Sequence, residues 1–209
     1  MKLFVMFRKL TWRAAGVAVL ALFALGALLP STAFAATASS TPPCASTDTQ
    51  CFIKLGDQFI AARQTALTTL SGKVSGRLNQ QLISSDQAAV LQADISTNQQ
   101  GLSALETKLN GETNALAAKQ DVVNVFFQFR IYAVVLPRDY RRLYLDVAIT
   151  VDAKLRGFGP KVQEAIQNAP ASEQAQLKTL FSDYQNQLST AEGQFDSAAA
   201  DIVTLMPEN

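Results

Sequence analysis

One apolar stripe near the end of the chain restricts the fold more than any other feature of the sequence. It advances in steps of three or four residues through Leu177, Leu180, Tyr184, Leu188, Ala191, Phe195, Ala198, Ile202 and Leu205. This spacing is typical of a helix that lays one face along a partner in a coiled coil. At 1.5 Å per residue the stripe would be about 42 Å long. We therefore predict a long helix with a coiled-coil seam.

Two earlier stretches show a similar rhythm. The first is Ile53, Ile60, Leu67, Leu70, Val74, Leu78 and Leu82, and the second is Leu91, Ile95, Asn98, Leu102, Leu105 and Leu109. Ser84 with Gln87 fits a capping box, so a second helix is predicted to begin there. Gly72 and Gly76 share one face of the first helix, where we expect a neighbouring helix to approach closely. The predicted fold is all-α, an antiparallel bundle of three to four long helices with coiled-coil seams.

The N-terminus has the pattern of a secretory signal peptide. Four basic residues and no acidic ones precede a 16-residue apolar run, and Ala33-Phe34-Ala35 follows as a cleavage pattern. We predict a signal peptide over residues 1–35, a flexible leader over 36–51 and the helical domain over 52–209. The chain would then be exported to the periplasm, the cell surface or the medium. The alternative is an uncleaved membrane anchor, the one case in which a membrane contact is expected.

Charge and cysteine content narrow the classes of partner. The predicted signal peptide contains four of the 18 basic residues and none of the 17 acidic ones, which leaves 14 against 17, or −3. A nucleic-acid partner is not expected at this charge. Cys44 and Cys51, in an oxidising compartment, predict a local disulfide that fixes the start of the first helix. The alternative is a pair of free thiols.

The middle of the chain is harder to interpret. The segment DVVNVFFQF (residues 121–129) is apolar on nearly every side, which indicates a helix buried on several faces or a short buried strand. We predict that the helix runs to about Tyr132 and that an extended turn passes through Leu136-Pro137. A new helix would start at Arg138, weaken at residues 157–160 and resume to about Gln167. Ser172 is then expected to cap the last helix.

Arginine and tyrosine side chains concentrate at the start of that new helix. The candidate partner or ligand surface comprises Arg138, Tyr140, Arg141, Arg142 and Tyr144. Guanidinium groups bind phosphate or carboxylate, and aromatic rings stack on apolar ring faces. The segment is therefore either a surface for an anionic or sugar polymer, a tightly packed corner of the fold, or a membrane contact. In the packed-corner interpretation, its excess positive charge faces the acidic last helix.

The stretch FRIYAVVLPRDYRRLYLDV (residues 129–147), flanked by leucine-spaced helices, resembles a group of small exported helical proteins of bacteria. These proteins have a (Y/F)R(V/I)Y-x-(L/V)V-x-P segment between coiled-coil helices, which corresponds here to residues 129–137. The resemblance implies an exported helical protein and no particular activity.

No residue pattern for catalysis or cofactor binding is present. The chain has no histidine, which removes Ser-His and Cys-His nucleophiles and most zinc sites. We expect a non-enzymatic structural or interaction module at the cell envelope, without cofactor or metal. Its partner would be a protein, an envelope polymer or a second copy of the chain. The alternative is a binding or chaperone-like module that grips an anionic or sugar polymer through the arginine–tyrosine surface.

Overall fold

The computed structural model describes residues 44–205, and all regular secondary structure in this range is helical, without a β-strand. No helix among these residues has the length and apolar content needed to cross a membrane. A π-helical turn, Ile131–Val135, separates the third and fourth α-helices. The α-helices are α1 (Thr49–Asn79), α2 (Ser85–Asn110), α3 (Ala115–Phe127), α4 (Leu136–Gly157), α5 (Gly159–Gln167) and α6 (Ala171–Val203).

Helices α1 and α2 are antiparallel neighbours. Asp57 of α1 accepts a hydrogen bond from Asn110, near the end of α2, and Ser71 donates one to Gln92, near its start. The capping box predicted at Ser84 is present, with both of its hydrogen bonds formed. The predicted stripe residues of α2 are buried apart from Asn98, which is half-buried and donates to a carbonyl of its own helix.

The chain then returns along α2 as α3, the π-turn and α4. Lys108 of α2 forms a 2.6 Å ion pair with the fully buried Asp121 of α3. Near the other end of α2, Asp146 of α4 accepts a hydrogen bond from Gln87. Because Lys154 reaches the carbonyl of Gln81, just beyond α1, α4 continues past the α1–α2 turn. We call the second half of α4 with α5 and α6, residues 148–203, the terminal hairpin.

The break between α3 and α4 lies earlier in the sequence than predicted. Helix α3 ends at Phe127, and Arg130 has a left-handed backbone with φ 44°. The expected extended turn at Leu136-Pro137 is wrong, because Pro137 lies in the first turn of α4. Proline is tolerated there because its fixed φ suits the first turn of a helix. The wider π-turn also relieves the clash that a proline ring makes with the carbonyl four residues earlier.

The packed face of α1 contains two residues that its apolar pattern skips. The stripe advances by seven residues from Ile53 to Ile60 and again to Leu67. Gly56 and Arg63 occupy the intermediate positions, and both are buried. A Cβ at Gly56 would overlap the side chain of Leu109, so α1 and α2 approach closely at this position. The close approach predicted at Gly72 and Gly76 is wrong, since both face open space.

Helix α6 packs on α4 and α5 through one face. Its heptad stripe is half-buried along most of its length, and Phe195 is its only fully buried residue. The helix begins at Ala171 after Pro170, so Ser172 lies inside the first turn and does not cap the helix as predicted. Arg156 of α4 pairs with Glu192 at 3.1 Å, and this is the one ion pair that joins the basic and acidic segments among residues 44–205.

The predicted disulfide between Cys44 and Cys51 is confirmed. Helix α1 starts at Thr49, three residues before the predicted start of the helical domain at residue 52, and the Asp48 side chain caps it by accepting from the backbone N–H of Cys51. The disulfide therefore ties the chain to the first turn of α1. The predicted signal peptide and the leader up to residue 43 lie outside the described residues.

Candidate binding surfaces

Arg138, the first residue of the predicted arginine–tyrosine surface, is committed to ion pairs inside the protein. Its guanidinium binds Asp139 at 2.9 Å and also pairs with Asp94 on α2. One cation thus serves two carboxylates between α2 and α4. Asp139 is almost fully buried, and its second carboxylate oxygen has no hydrogen-bond partner. Arg138 therefore belongs to a packed corner and is not exposed to a ligand.

The two buried acids of α4, Asp139 and Asp146, have raised pKa values. Burial raises the pKa of Asp139 to about 7, against the lowering effect of Arg138 and with a further raising effect from the Asp94 carboxylate. Burial also raises the pKa of Asp146, which accepts a hydrogen bond from Gln87 at 3.0 Å. A carboxyl removed from water favours its neutral form, so the contact between α2 and α4 contains one acid, Asp139, that binds a proton near neutral pH, and a second, Asp146, whose pKa is shifted in the same direction.

The other predicted residues divide between packing and exposure. Tyr140 packs against the core, with its ring 5.1 Å from the ammonium nitrogen of Lys73 and stacked on Tyr144 at 6.3 Å. Arg141, Arg142 and Tyr144 are exposed. Two arginines and one tyrosine ring of the five predicted residues therefore remain accessible to a partner.

A second cluster, which the sequence did not indicate, surrounds Arg63 of α1. This arginine is 5% exposed, and its guanidinium lies 4.5 Å from the ring centroid of Phe126 and 5.0 Å from that of Tyr132. It donates one hydrogen bond, to the carbonyl of Phe59, and its Nε is buried without a partner. No carboxylate among residues 44–205 forms an ion pair with it. We call Arg63, Phe126 and Tyr132 the Arg63 cluster.

Burial of the Arg63 guanidinium costs free energy, and the contacts within the Arg63 cluster offset this cost only in part. Desolvation lowers the pKa of Arg63, opposed by Tyr132. Removing an ion from water costs several kcal/mol, whereas a cation–π contact contributes about 2 kcal/mol when desolvated. The sequence signal for this cluster was the seven-residue step in the α1 stripe, because a polar residue at a skipped stripe position is still placed against the neighbouring helices.

The terminal hairpin exposes apolar side chains on several turns. Phe158 at the α4–α5 junction is 55% exposed, and Val151 of α4 and Leu180 of α6 are each more than one-third exposed. An open recess of about 280 Å³ lies between the helices beside Arg156 and Tyr184. Ion pairs and hydrogen bonds hold the hairpin together, since Arg156 also donates to Leu188 and the Tyr184 hydroxyl donates to Leu155.

No cluster of His, Cys, Asp or Glu side chains in the described part of the chain could hold a metal ion. Compared with protein-family models, with curated proteins and with solved structures, the chain matches none.

Proposed function

We propose that this chain is an exported, non-enzymatic helical module of the cell envelope that binds a protein partner along the terminal hairpin. In this proposal the helices form an antiparallel bundle, and the apolar stripes on α1, α2 and α6 act as coiled-coil seams. The partner is an envelope protein or a second copy of the chain. The resemblance of residues 129–137 to exported bacterial helical proteins supports the compartment and the architecture.

Most residues of the α6 stripe are only partly buried, and Leu180 is 38% exposed. This incomplete burial is the observation that carries the proposal. A 33-residue helix with a heptad stripe usually buries that stripe against neighbours, but α6 fully buries only Phe195. Helices α1 and α2, in contrast, bury most of their stripes. Exposed contiguous apolar surface on a protein is typical of an interaction site. A partner helix that covered the terminal hairpin would bury the apolar stripe residues of α6 that are still partly exposed.

The charge of α6 indicates the kind of partner. The helix has five acidic residues and one lysine. Only Glu192 among the acids has an ion pair within the described residues. Two copies of α6 laid side by side would therefore repel one another. A partner with a basic face beside its apolar stripe fits this helix better than a symmetric pairing of α6 with itself.

Export is supported by two features. The disulfide at Cys44 and Cys51 is the kind that persists in oxidising compartments. The basic and apolar N-terminus followed by Ala33-Phe34-Ala35 has the pattern of a cleaved signal. We propose that the mature protein starts after residue 35.

A second candidate function rests on the exposed arginines. Arg141, Arg142 and Tyr144 lie on the surface of α4, where guanidinium groups would bind phosphate or carboxylate groups of an envelope polymer. Because Arg138 is occupied by Asp94 and Asp139, this surface is smaller than the predicted one. The terminal hairpin is therefore the stronger candidate.

Co-sedimentation with envelopes of the source organism, at low and at high salt, would separate the two functions. The hairpin variant replaces Val151, Phe158 and Leu180 by Asp. The arginine variant replaces Arg141 and Arg142 by Gln. The control is Leu116→Asp, since Leu116 is an exposed apolar residue of α3, outside the terminal hairpin.

Binding that persists at high salt and is lost only in the hairpin variant would support the interaction module. Salt-sensitive binding lost only in the arginine variant would favour the polymer-binding alternative. Equal binding by all variants would refute both functions. Analytical ultracentrifugation of each purified chain would show whether a second copy is the partner, because only the hairpin variant would then lose association.

A further inference from the structure

The aromatic rings over Arg63 are open to solvent on one side. Phe126 and Tyr132 are 43% and 49% exposed, although the guanidinium beneath them is buried. The sequence predicted that the segment 121–129, which includes Phe126, is a helix buried on several faces or a short buried strand, because nearly every side of it is apolar. The structure instead places the ring beside a charged group: it lies 4.5 Å from the Arg63 guanidinium and also packs edge-to-face on Phe59, with 4.9 Å between ring centroids, and the remainder of the ring is exposed.

The local backbone is arranged to place these rings. Phe126 lies in the last turn of α3, and Tyr132 lies in the π-turn. Between them, Arg130 adopts a left-handed conformation that is unfavourable for a residue with a Cβ atom. Strained residues and π-turns occur often at functional sites. Two uncommon backbone features, the left-handed Arg130 and the π-turn, therefore lie in the segment that places the two rings over Arg63.

We propose that the Arg63 cluster is a binding site for a carboxylate carried on a ring, such as a sugar acid or an aromatic acid. The carboxylate supplies the negative charge that Arg63 lacks, and it accepts the N–H of Nε. The ring of the ligand stacks on Phe126 or Tyr132. The site is separate from the terminal hairpin and does not depend on the function proposed for it.

The chemistry of the three side chains matches this ligand class. A guanidinium binds a carboxylate through two parallel hydrogen bonds, and Arg63 has one hydrogen-bond acceptor among residues 44–205, the carbonyl of Phe59 at 3.0 Å. Aromatic rings stack on flat apolar faces. A neutral ligand would leave the buried charge uncompensated, so the site is predicted to discriminate strongly between an acid and its neutral analogue.

Entry requires one ring to move, and Tyr132 is the better placed. Its side chain is held by a single exposed hydrogen bond, 3.1 Å from its hydroxyl to the carbonyl of Ala62. Half-exposed side chains change rotamer on the picosecond to nanosecond scale. Rotation of this ring would open the guanidinium to a ligand without unfolding either helix.

Nuclear magnetic resonance of the arginine Nε–Hε groups in the full chain would test the site directly. The acidic probes are sodium glucuronate and sodium benzoate, and their neutral controls are glucose and benzyl alcohol. We expect a saturable shift of the Arg63 resonance with at least one acid and none with its neutral control. Glucuronate binding would identify a sugar-acid site, and benzoate binding alone would identify an aromatic-acid site.

Variants provide the controls. Arg63→Met keeps the length of the side chain and should abolish binding, as followed on backbone resonances. Arg77→Met, near the other end of α1 and outside every proposed surface, should leave binding unchanged. Phe126→Leu should weaken binding about tenfold through loss of stacking, and it keeps a readout if Arg63→Met fails to fold. The proposal would be overturned if neither acid shifts Arg63, if acids and neutral controls bind equally, or if Arg63→Met and Phe126→Leu both bind the acid as tightly as the wild type.

Discussion

Protonation of Asp139 should make the stability of the protein fall as pH rises towards 7. The pKa of this carboxyl is about 7 in the folded chain and 3.8 as its ordinary value. The folded state therefore keeps a proton that the unfolded state has released, and this difference stabilises the fold at low pH. As pH rises above 3.8 the stabilisation decreases, and it is lost once pH passes the folded pKa.

The magnitude follows from the two pKa values. They differ by about three pH units, and each unit corresponds to about 1.36 kcal/mol. The whole effect is then on the order of 4 kcal/mol, of which roughly 3 kcal/mol falls between pH 5 and pH 8. Because only 2% of the Asp139 side chain is exposed, solvent screening reduces this figure little. Asp146, whose pKa burial also raises, acts in the same direction.

Asp139→Asn tests this reasoning, because an amide resembles the protonated acid in shape and does not titrate. Urea unfolding followed by far-UV circular dichroism at several pH values would give the free energy of unfolding of both chains. We expect the variant to match the wild type at pH 5 and to exceed it by roughly 3 kcal/mol at pH 8. Asp183→Asn, on the exposed side of α6, is the control and should follow the wild type. Parallel curves for the wild type and Asp139→Asn would refute the argument.

Three further perturbations have definite expected outcomes. Arg138→Gln leaves two carboxylates without their cation and should lower the free energy of unfolding, measured by urea unfolding, by about 3 kcal/mol. The control Arg141→Gln should change it by less than about 0.5 kcal/mol in the same assay. In Gly101→Ala the new Cβ would overlap the ring of Phe129, so this variant should destabilise the fold by about 1–3 kcal/mol. Gly72→Ala meets open space and should stabilise the fold by about 0.5–1 kcal/mol. Equal effects of the two substitutions would show that Gly101 and Phe129 do not approach closely. Reduction of the disulfide should cost about 2 kcal/mol and increase amide exchange first at the start of α1, as hydrogen-exchange mass spectrometry would show.

The helices of this protein were predictable because their signals are local. Apolar spacing located α2 and α6, the capping box fixed the start of α2, and the pair Cys44 and Cys51 indicated the disulfide. The glycines show where such reasoning stops. Gly56 and Gly72 have the same chemistry in the same helix, but only Gly56 faces another helix closely. That difference depends on which neighbours the fold supplies, and spacing within one helix does not contain it.

The candidate surfaces depended even more on tertiary contacts. Arg138 and Arg141 are one helical turn apart and look equivalent in the sequence, yet Asp94 on another helix occupies the first and leaves the second exposed. Arg63 gave no positive signal, because a single arginine in a polar helix is usually solvated. Its burial follows from the register of α1, and the aromatic rings that cover it come from about 65 residues further along the chain.

The course of α4 along two different parts of the protein has a consequence for the order of folding. The α1–α2 pair and the terminal hairpin are each formed by segments adjacent in sequence, so each closes a short loop and should form rapidly. The contacts from Tyr132 to Ala62 and from Arg138 to Asp94 join residues 70 and 44 positions apart. These contacts should form last, when the two preformed pairs dock. Substitutions at Arg138 should therefore accelerate unfolding and leave the refolding rate nearly unchanged.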